Sequence, residues 1–377
     1  MRYVKLTDIC NITTGKLDSN AAEKNGKYPY FTCAPEPLKI NTYAFDDDVI
    51  LLAGNNASGN FHCQRFNGKF NAYQRTYIIT AKSGYDIDYI FYNLMINLTH
   101  LKKIAQGSQT KFLTLQILNT FKVKDLDITE QRRFSSILSN IDKKISLNNK
   151  IISELESMAK TIYDYWFLQF EFPNDEGKPY KSSGGKMVWN EELKREIPEG
   201  WEATRVDDIV KQPPKIKSIK APDYLEKGQY PIVDQAETLI TGYTNDSSLI
   251  YENTNGCVVF GDVTTYFKYI NFPFAKGTDG TKILESKNNR IPSLLLFFLV
   301  KDAKLPNIGF ARHYMYLRDF KFVLPPIHVC NMFKKCTESI MLYRSRLISE
   351  NQELTSLRDF LLPLLMNGQV GFKDEEK

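Results

Sequence analysis

Long apolar runs are missing from this 377-residue chain. The longest, Leu294 to Val300, falls far short of the ~20 residues that cross a bilayer, and Met1 to Cys10 lacks a signal-peptide core. Histidine is scarce: His62, His100, His313 and His328 are all there are, with no H-E-x-x-H spacing to hold a metal. The cysteines Cys10, Cys33, Cys63, Cys257, Cys330 and Cys336 form no C-x-x-C pair, so they read as buried or idle thiols rather than zinc or redox ligands. These absences predict a soluble, cytoplasmic protein without a metal centre. An excess of one charge sign is missing too: 49 Lys and Arg stand against 44 Asp and Glu. A nucleic-acid partner would have to be argued from clustered charge instead.

What the chain does have is one internal duplication. Lys5-Leu6-Thr7-Asp8-Ile9 matches Arg205-Val206-Asp207-Asp208-Ile209, and Tyr28-Pro29 matches Tyr230-Pro231. Val49 to Gly54 resembles Gly256 to Gly261, and Phe121-Lys122 matches Phe320-Lys321. From there the correspondence continues without a gap through Phe134/Phe333, Ile141/Ile340 and Leu155/Leu354. Each half is a mixed segment of short β-branched and aromatic runs punctuated by Gly, Asn and Pro, followed by a helix.

The helices carry the clearest periodicity. Phe134, Leu138, Ile141, Ile145, Asn148, Ile152, Leu155, Ala159, Ile162 and Trp166 alternate steps of four and three, a heptad seam with one polar member. Phe333, Ile340, Leu347, Leu354 and Leu361 keep a seven-residue step, and Cys336, Tyr343, Leu357 and Leu364 are expected to thicken that stripe. Pro363 is expected to kink or end the second helix. A helix of ~40 residues extends roughly 60 Å and outreaches a domain of ~125 residues, so the two stripes are expected to pair with each other. The boundaries follow: mixed domains 1–126 and 200–325, helices 127–170 and 326–370, and a connector 171–199 rich in Lys, Glu, Ser, Gly and Pro.

Three stretches resemble a known family. They are Tyr163-Asp164-Tyr165-Trp166-Phe167 with Phe172 to Met187, then Ile197-Pro198-Glu199-Gly200-Trp201, and Leu357 to Val370. All are similar to Type I restriction–modification specificity subunits. The resemblance implies an α+β fold with a pseudo-twofold internal repeat: two globular mixed α/β target-recognition domains joined by two long helices in an antiparallel coiled coil. It implies that each domain reads one half of a bipartite site in double-stranded DNA. The helices would set the spacing and dock two modification (methyltransferase) subunits, which bind S-adenosylmethionine, and a restriction (motor/nuclease) subunit can join. The chain itself would be non-catalytic and carry no cofactor.

The residues agree with that absence of chemistry. An amino-methyltransferase needs an Asn/Asp-Pro-Pro-aromatic loop, and Gln212-Pro213-Pro214-Lys215 and Leu324-Pro325-Pro326-Ile327 do not fit it. Gly54 to Phe61 has the glycine spacing of a phosphate loop without its lysine, and no G-x-S-x-G occurs.

Base reading needs Arg, Lys, Asn and Gln, backed by cations on phosphates. The candidates are Lys16, Gln64, Arg65, Lys69, Arg75, Gln109 and Lys111 in the first domain. In the second they are Lys215, Lys217, Lys268, Lys276, Lys282, Arg312 and His313. The outer helix faces, with Lys143, Lys144, Lys150 and Arg344, are either solvated surface or docking surface. Two other readings stay open: a stand-alone DNA methyltransferase or nuclease with diverged motifs, and a purely structural coiled-coil adaptor.

Overall fold

The computed structural model describes residues 2–57, 59–107, 110–214, 216–252, 255–306, 309 and 312–370. The chain divides into two compact units, residues 1–147 with 351–377, and residues 148–350.

In the first unit, six strands form one sheet. They are β1 (Cys10–Thr14), β2 (Tyr28–Phe31), β3 (Leu38–Ile40), β4 (Phe45–Ala53), β5 (Cys63–Ala72) and β6 (Thr76–Ala81), in the order β1-β6-β4-β5-β2-β3. All neighbours are antiparallel except β2 and β5. Side chains alternate across a pleated strand. Ile50, Leu52, Tyr77 and Ile79 therefore face the core built on helix α1 (Ile87–Ile96), with Tyr89, Ile90 and Leu94. Val49, Leu51 and Ile78 face Phe31 and Phe70 on the other side. The Asp86 carboxylate caps α1 by accepting from the Tyr89 N–H at 2.8 Å. Helix α2 (Leu115–Thr120) completes the unit's globular part, capped by Thr114.

Two long helices follow the globular parts, α3 (Ile128–Tyr163) and, later, the last helix (Ile327–Met366). The second unit repeats the pattern with β7 (Val210–Lys211), β8 (Tyr230–Val233), β9 (Gly242–Thr244), β10 (Ile250–Tyr251), β11 (Cys257–Gly261), β12 (Phe267–Ile270), β13 (Phe274–Lys276) and β14 (Thr281–Ser286). Its sheet is split into β7-β14-β11-β12 and β9-β8-β13-β10. The split falls at Asn271-Phe272-Pro273, where the first unit has the unbroken strand β5. A proline cannot donate to a sheet ladder, which accounts for the break. Helix α4 (Ser293–Val300) takes the place of α1 and packs Leu294, Leu295 and Phe298 on Val258, Phe260 and Leu284. Helix α5 (Tyr314–Asp319) takes the place of α2, and the last helix is α6.

The duplicated motif around Leu6 and Val206 forms the same device twice. A short strand pairs with the segment before the long helix, Tyr3–Lys5 with Lys122–Lys124 and Glu202–Arg205 with Lys321–Leu324. One helical turn then follows, Leu6–Ile9 and Val206–Ile209. The match of Val49–Gly54 with Gly256–Gly261, however, is one residue out of step. Ile50 and Leu52 share their face with Val258 and Phe260, while Val49 and Leu51 share theirs with Cys257 and Val259. The true partner of Ala53 is Gly261, since each lies opposite the first residue of the next strand, Thr76 and Thr281. A slip of one residue exchanges the two faces of a strand, so side-chain burial settles the register.

Within each unit the long helices pack antiparallel. In the first, Phe134 and Leu138 of α3 share a core with Leu365 and Met366 of α6, and Arg358 meets Asp142 at 2.9 Å. In the second, Asn148 donates to Glu350 at 2.8 Å, Ile152 and Ile348 share a core, and Trp166 lies 6.1 Å from Phe333.

The buried stripe of α6 departs from the strict seven-residue step. Cys336, Tyr343 and Leu357 are exposed; Thr337, Met341, Arg344 and Ile348 are buried instead. A 3.6-residue helix drifts ~20° per heptad, which moves the seam one position along. Arg344, expected on the outer face, is 4% exposed. Lys143, Lys144 and Lys150 are exposed as expected. Pro363 sits inside α6, which runs on to Met366 before Gly368 turns the chain in the left-handed region.

The polar stretch 171–199 is folded in the second unit. Met187–Asn190 pairs with Arg195–Pro198, Phe172 stacks on Tyr180 at 4.6 Å, and Phe172 and Ile197 are buried with Trp201. A few aromatic anchors outweigh a linker-like composition.

Candidate nucleic-acid interface

Each unit gathers its strand ends into one cluster of loops, held by corresponding backbone hydrogen bonds. In the first unit the chain leaving β1 bridges to the residue after β5, Leu17 beside Tyr73. Leu17 N–H donates to Ala72 O at 3.4 Å, Tyr73 N–H to Phe31 O at 2.9 Å, and Thr76 N–H to Tyr73 O at 2.8 Å. Gly54 N–H donates to Arg75 O at 2.8 Å and Leu113 N–H to Gly54 O at 2.9 Å. The second unit makes five corresponding bonds across a turn one residue longer, with Gly277 and Thr278 sharing the two roles of Tyr73. They run from Ile219 to Lys276 (3.0 Å), Gly277 to Val233 (2.9 Å), Thr281 to Thr278 (2.9 Å), Asp262 to Gly280 (2.8 Å) and His313 to Asp262 (2.8 Å). The frame is tight: a Cβ on Gly15 would come 2.1 Å from the Ala72 carbonyl oxygen, so only glycine fits there.

On the first frame stand Lys16, Arg75 and Lys111. Lys16 is exposed directly after Gly15. The Arg75 guanidinium lies 5.2 Å from the centre of the Phe112 ring. Lys111 is half-buried and borders Gly59 together with Lys102, whose ammonium donates to Asn60 Oδ1 at 2.6 Å. Gln109 lies outside the described residues. Gln64 braces a neighbouring loop by donating to Pro35 O at 2.6 Å.

Arg65 and Lys69 lie on strand β5 instead. Arg65 is consumed internally, meeting Asp88 at 2.6 Å and Asp48 at 2.9 Å and donating to Val49 O at 2.7 Å. Burial alone would lower its pKa, but these two carboxylates hold it above the ordinary value. Lys69 sits opposite Asp46, 4.7 Å from the Tyr43 ring centre.

On the second frame stand Lys276, Lys282 and Arg312. Burial, then the neighbouring charge of Lys282, hold the half-buried Lys276 ammonium below its ordinary pKa of 10.5. Lys282 Nζ is 3.7 Å from Asp262 Oδ2 and 5.9 Å from the Tyr314 ring centre. Arg312 is exposed. Lys217 is exposed on the chain before Ile219, and Lys215 lies outside the described residues.

Two candidates of this unit are structural. Lys268 is 5% exposed, and its ammonium donates to the carbonyl oxygens of Asp234 (2.9 Å) and Thr238. His313 is 3% exposed and occupies the position of the apolar Leu113, its ring Nδ1 3.2 Å from Asp262 O.

Gln74, Asp279 and Thr265 stand in the same candidate loops as these cations. Gln74 donates to Asp18 at 2.9 Å, and Asp279 is exposed on the turn between Lys276 and Lys282. Thr265 holds φ +61°, a conformation that β-branched residues avoid, on the loop between β11 and β12.

Frame and duplication define the class: a two-unit α+β chain presenting two sets of loops, with one long helix after each repeat in the sequence. Residues 1–157 match the Type I restriction modification DNA specificity domain. The chain is 29% identical over 229 residues to the EcoDI specificity subunit of Escherichia coli, covering 58% of this chain and 50% of that protein. It is 24% identical over 321 residues to the MjaIX specificity subunit of Methanocaldococcus jannaschii, covering 78% and 71%. The crystal structure of a Type I S subunit from M. genitalium superposes with TM-score 0.61 at 16% identity, covering 97% of this chain and 96% of that one, a likeness of fold. Over these stretches the chain is similar to Type I restriction–modification specificity subunits.

The match spans half the length of the E. coli relative. Among the described residues no group of three His, Cys, Asp or Glu is placed to hold a metal, and no helix is long and apolar enough to cross a membrane.

Proposed function

We propose that the chain is the DNA-recognition subunit of a Type I restriction–modification complex, with each loop frame reading one half of a bipartite site. The observation that carries this reading is the frame itself. Five corresponding backbone hydrogen bonds occur in both units, and each frame presents cations at its rim. A rigid backbone carrying different side chains suits two half-sites of different sequence, because phosphate contacts position the protein and base contacts specify. The helices α3 and α6 set the distance between half-sites and dock two methyltransferase subunits, which supply S-adenosylmethionine and the chemistry; restriction subunits complete the nuclease. The chain catalyses nothing and works in the cytoplasm.

The test is to purify the chain with and without an adenine methyltransferase subunit. The complex is expected to methylate duplexes bearing one bipartite motif, and the chain alone is expected neither to bind S-adenosylmethionine nor to turn it over. Turnover by the chain alone would make it an enzyme; methylation unchanged after one loop frame is disabled would make it an adaptor.

A further inference from the structure

We infer that Arg75 is the guanine-reading residue of the first half-site, with Phe112 as the plate that holds its guanidinium in position. The inference rests on the DNA-recognition reading above and assigns a base contact to one side chain.

Both ends of the arrangement are clamped. The Arg75 carbonyl oxygen accepts from Gly54 N–H at 2.8 Å and from the Cys33 thiol at 3.5 Å, which fixes the backbone of the turn between β5 and β6. Phe112 exchanges two backbone hydrogen bonds with Gln106, at 3.0 and 2.8 Å, and lies in register opposite Asn55. A guanidinium over an aromatic ring is attracted by the ring's negative face and gives up its rotamer freedom before any ligand arrives. Among the described residues no acceptor takes an Arg75 side-chain N–H, so its N–H edge is left to donate. That edge is the fork that matches O6 and N7 of guanine in the major groove.

The surroundings agree. Arg75 is exposed, and no carboxylate among the described residues pairs with it, in contrast to Arg65 on the adjoining strand. Lys16 lies on the same frame, and Lys111 directly precedes the Phe112 plate. These supply point charges for phosphates, so the one planar fork of the group is left for a base edge. The second unit does not repeat the device. Gly280 stands where Arg75 does and Arg312 where Phe112 does, so the two half-sites are read by different chemistry from one backbone frame.

The experiment uses the full chain with its methyltransferase subunit and a duplex library randomised over the bipartite motif. Arg75→Lys keeps the charge and loses the fork. It is expected to relax the requirement for guanine at one position of one half-site by roughly tenfold or more, with the other half-site read as before. Phe112→Leu keeps Arg75 and loses the plate, and is expected to relax the same position to a smaller degree. The unchanged half-site reports that both variants are folded. If Arg75→Ala instead weakens all sequences uniformly and lowers the salt slope by about one, Arg75 is a phosphate contact and the inference fails. A motif unchanged by Arg75→Lys overturns it equally while leaving the wild-type reading intact. A wild-type complex with no bipartite preference would remove the reading beneath it.

Discussion

The Arg344 guanidinium, 4% exposed, meets the Glu156 carboxylate at 2.6 Å, joining the two long helices inside the second unit. The same guanidinium donates to Asn271 Oδ1 at 3.2 Å, and Asn271 in turn donates to Met341 O at 2.9 Å. Asn271 belongs to the Asn-Phe-Pro break between β12 and β13, so the interruption of the sheet supplies the anchor for the helix.

Removing Arg344 leaves Asn271 without that donor and opens a gap in a packed seam. Arg344→Ala is expected to cost about 1–3 kcal/mol. Glu156→Gln, at the half-exposed end of the pair, is expected to cost about 1 kcal/mol or less. Denaturant unfolding of both single variants and the double variant measures the coupling between them.

The fully buried Asn148 donates to Glu350 across the helix pair in that unit. Asn148→Leu alone removes the amide donor to the Glu350 carboxylate and is expected to lower Tm. Asn148→Leu with Glu350→Leu is expected to restore Tm to the wild-type value or above, because replacing both partners removes the desolvation cost. Thermal melts of the three variants check the order.

Cations divide into those that hold the fold and those offered outward. Lys268→Met is expected to destabilise the protein by about 1–3 kcal/mol, because two carbonyl oxygens lose their donor. Lys276→Ala and Arg312→Ala are each expected to weaken DNA binding and to reduce the salt slope by about one, with Tm almost unchanged. The Lys276 contribution requires its protonated form. Since burial and the Lys282 charge hold that ammonium below 10.5, its share of the affinity is lost as pH rises through the lowered value, earlier than for an ordinary lysine. The Arg312 share persists there, because a guanidinium stays protonated. Binding titrations across salt and pH separate the three residues.

If the helices are the ruler between half-sites, one heptad inserted into each, after Leu147 and after Glu350, adds about 10 Å, or roughly three base pairs of spacer. The spacing of methylated half-sites reads this directly; an unchanged spacer would assign the ruler elsewhere.

The duplication and both long helices are legible in sequence because heptad steps and gapless matches survive divergence. The register of β4 against β11 is not, since Val, Ile, Leu and Cys are interchangeable letters on either face of a doubly buried strand. Nor is the fate of individual cations. Arg65, Lys268 and His313 sit among turn-like, polar neighbours in sequence, yet each is spent on interior acceptors that the fold brings from 16 to 51 residues away. Residues 171–199 mislead in the opposite way, their polar composition hiding Phe172, Tyr180 and Ile197 as anchors.

The central claim is that two copies of one backbone frame read two different half-sites. The most direct measurement is the profile of adenines methylated by the complex when one frame at a time is altered, with Arg75→Lys in the first or Lys276→Ala with Arg312→Ala in the second. The account predicts a bipartite motif in which each alteration changes one half alone. A continuous motif, or one in which either alteration degrades both halves together, would contradict it.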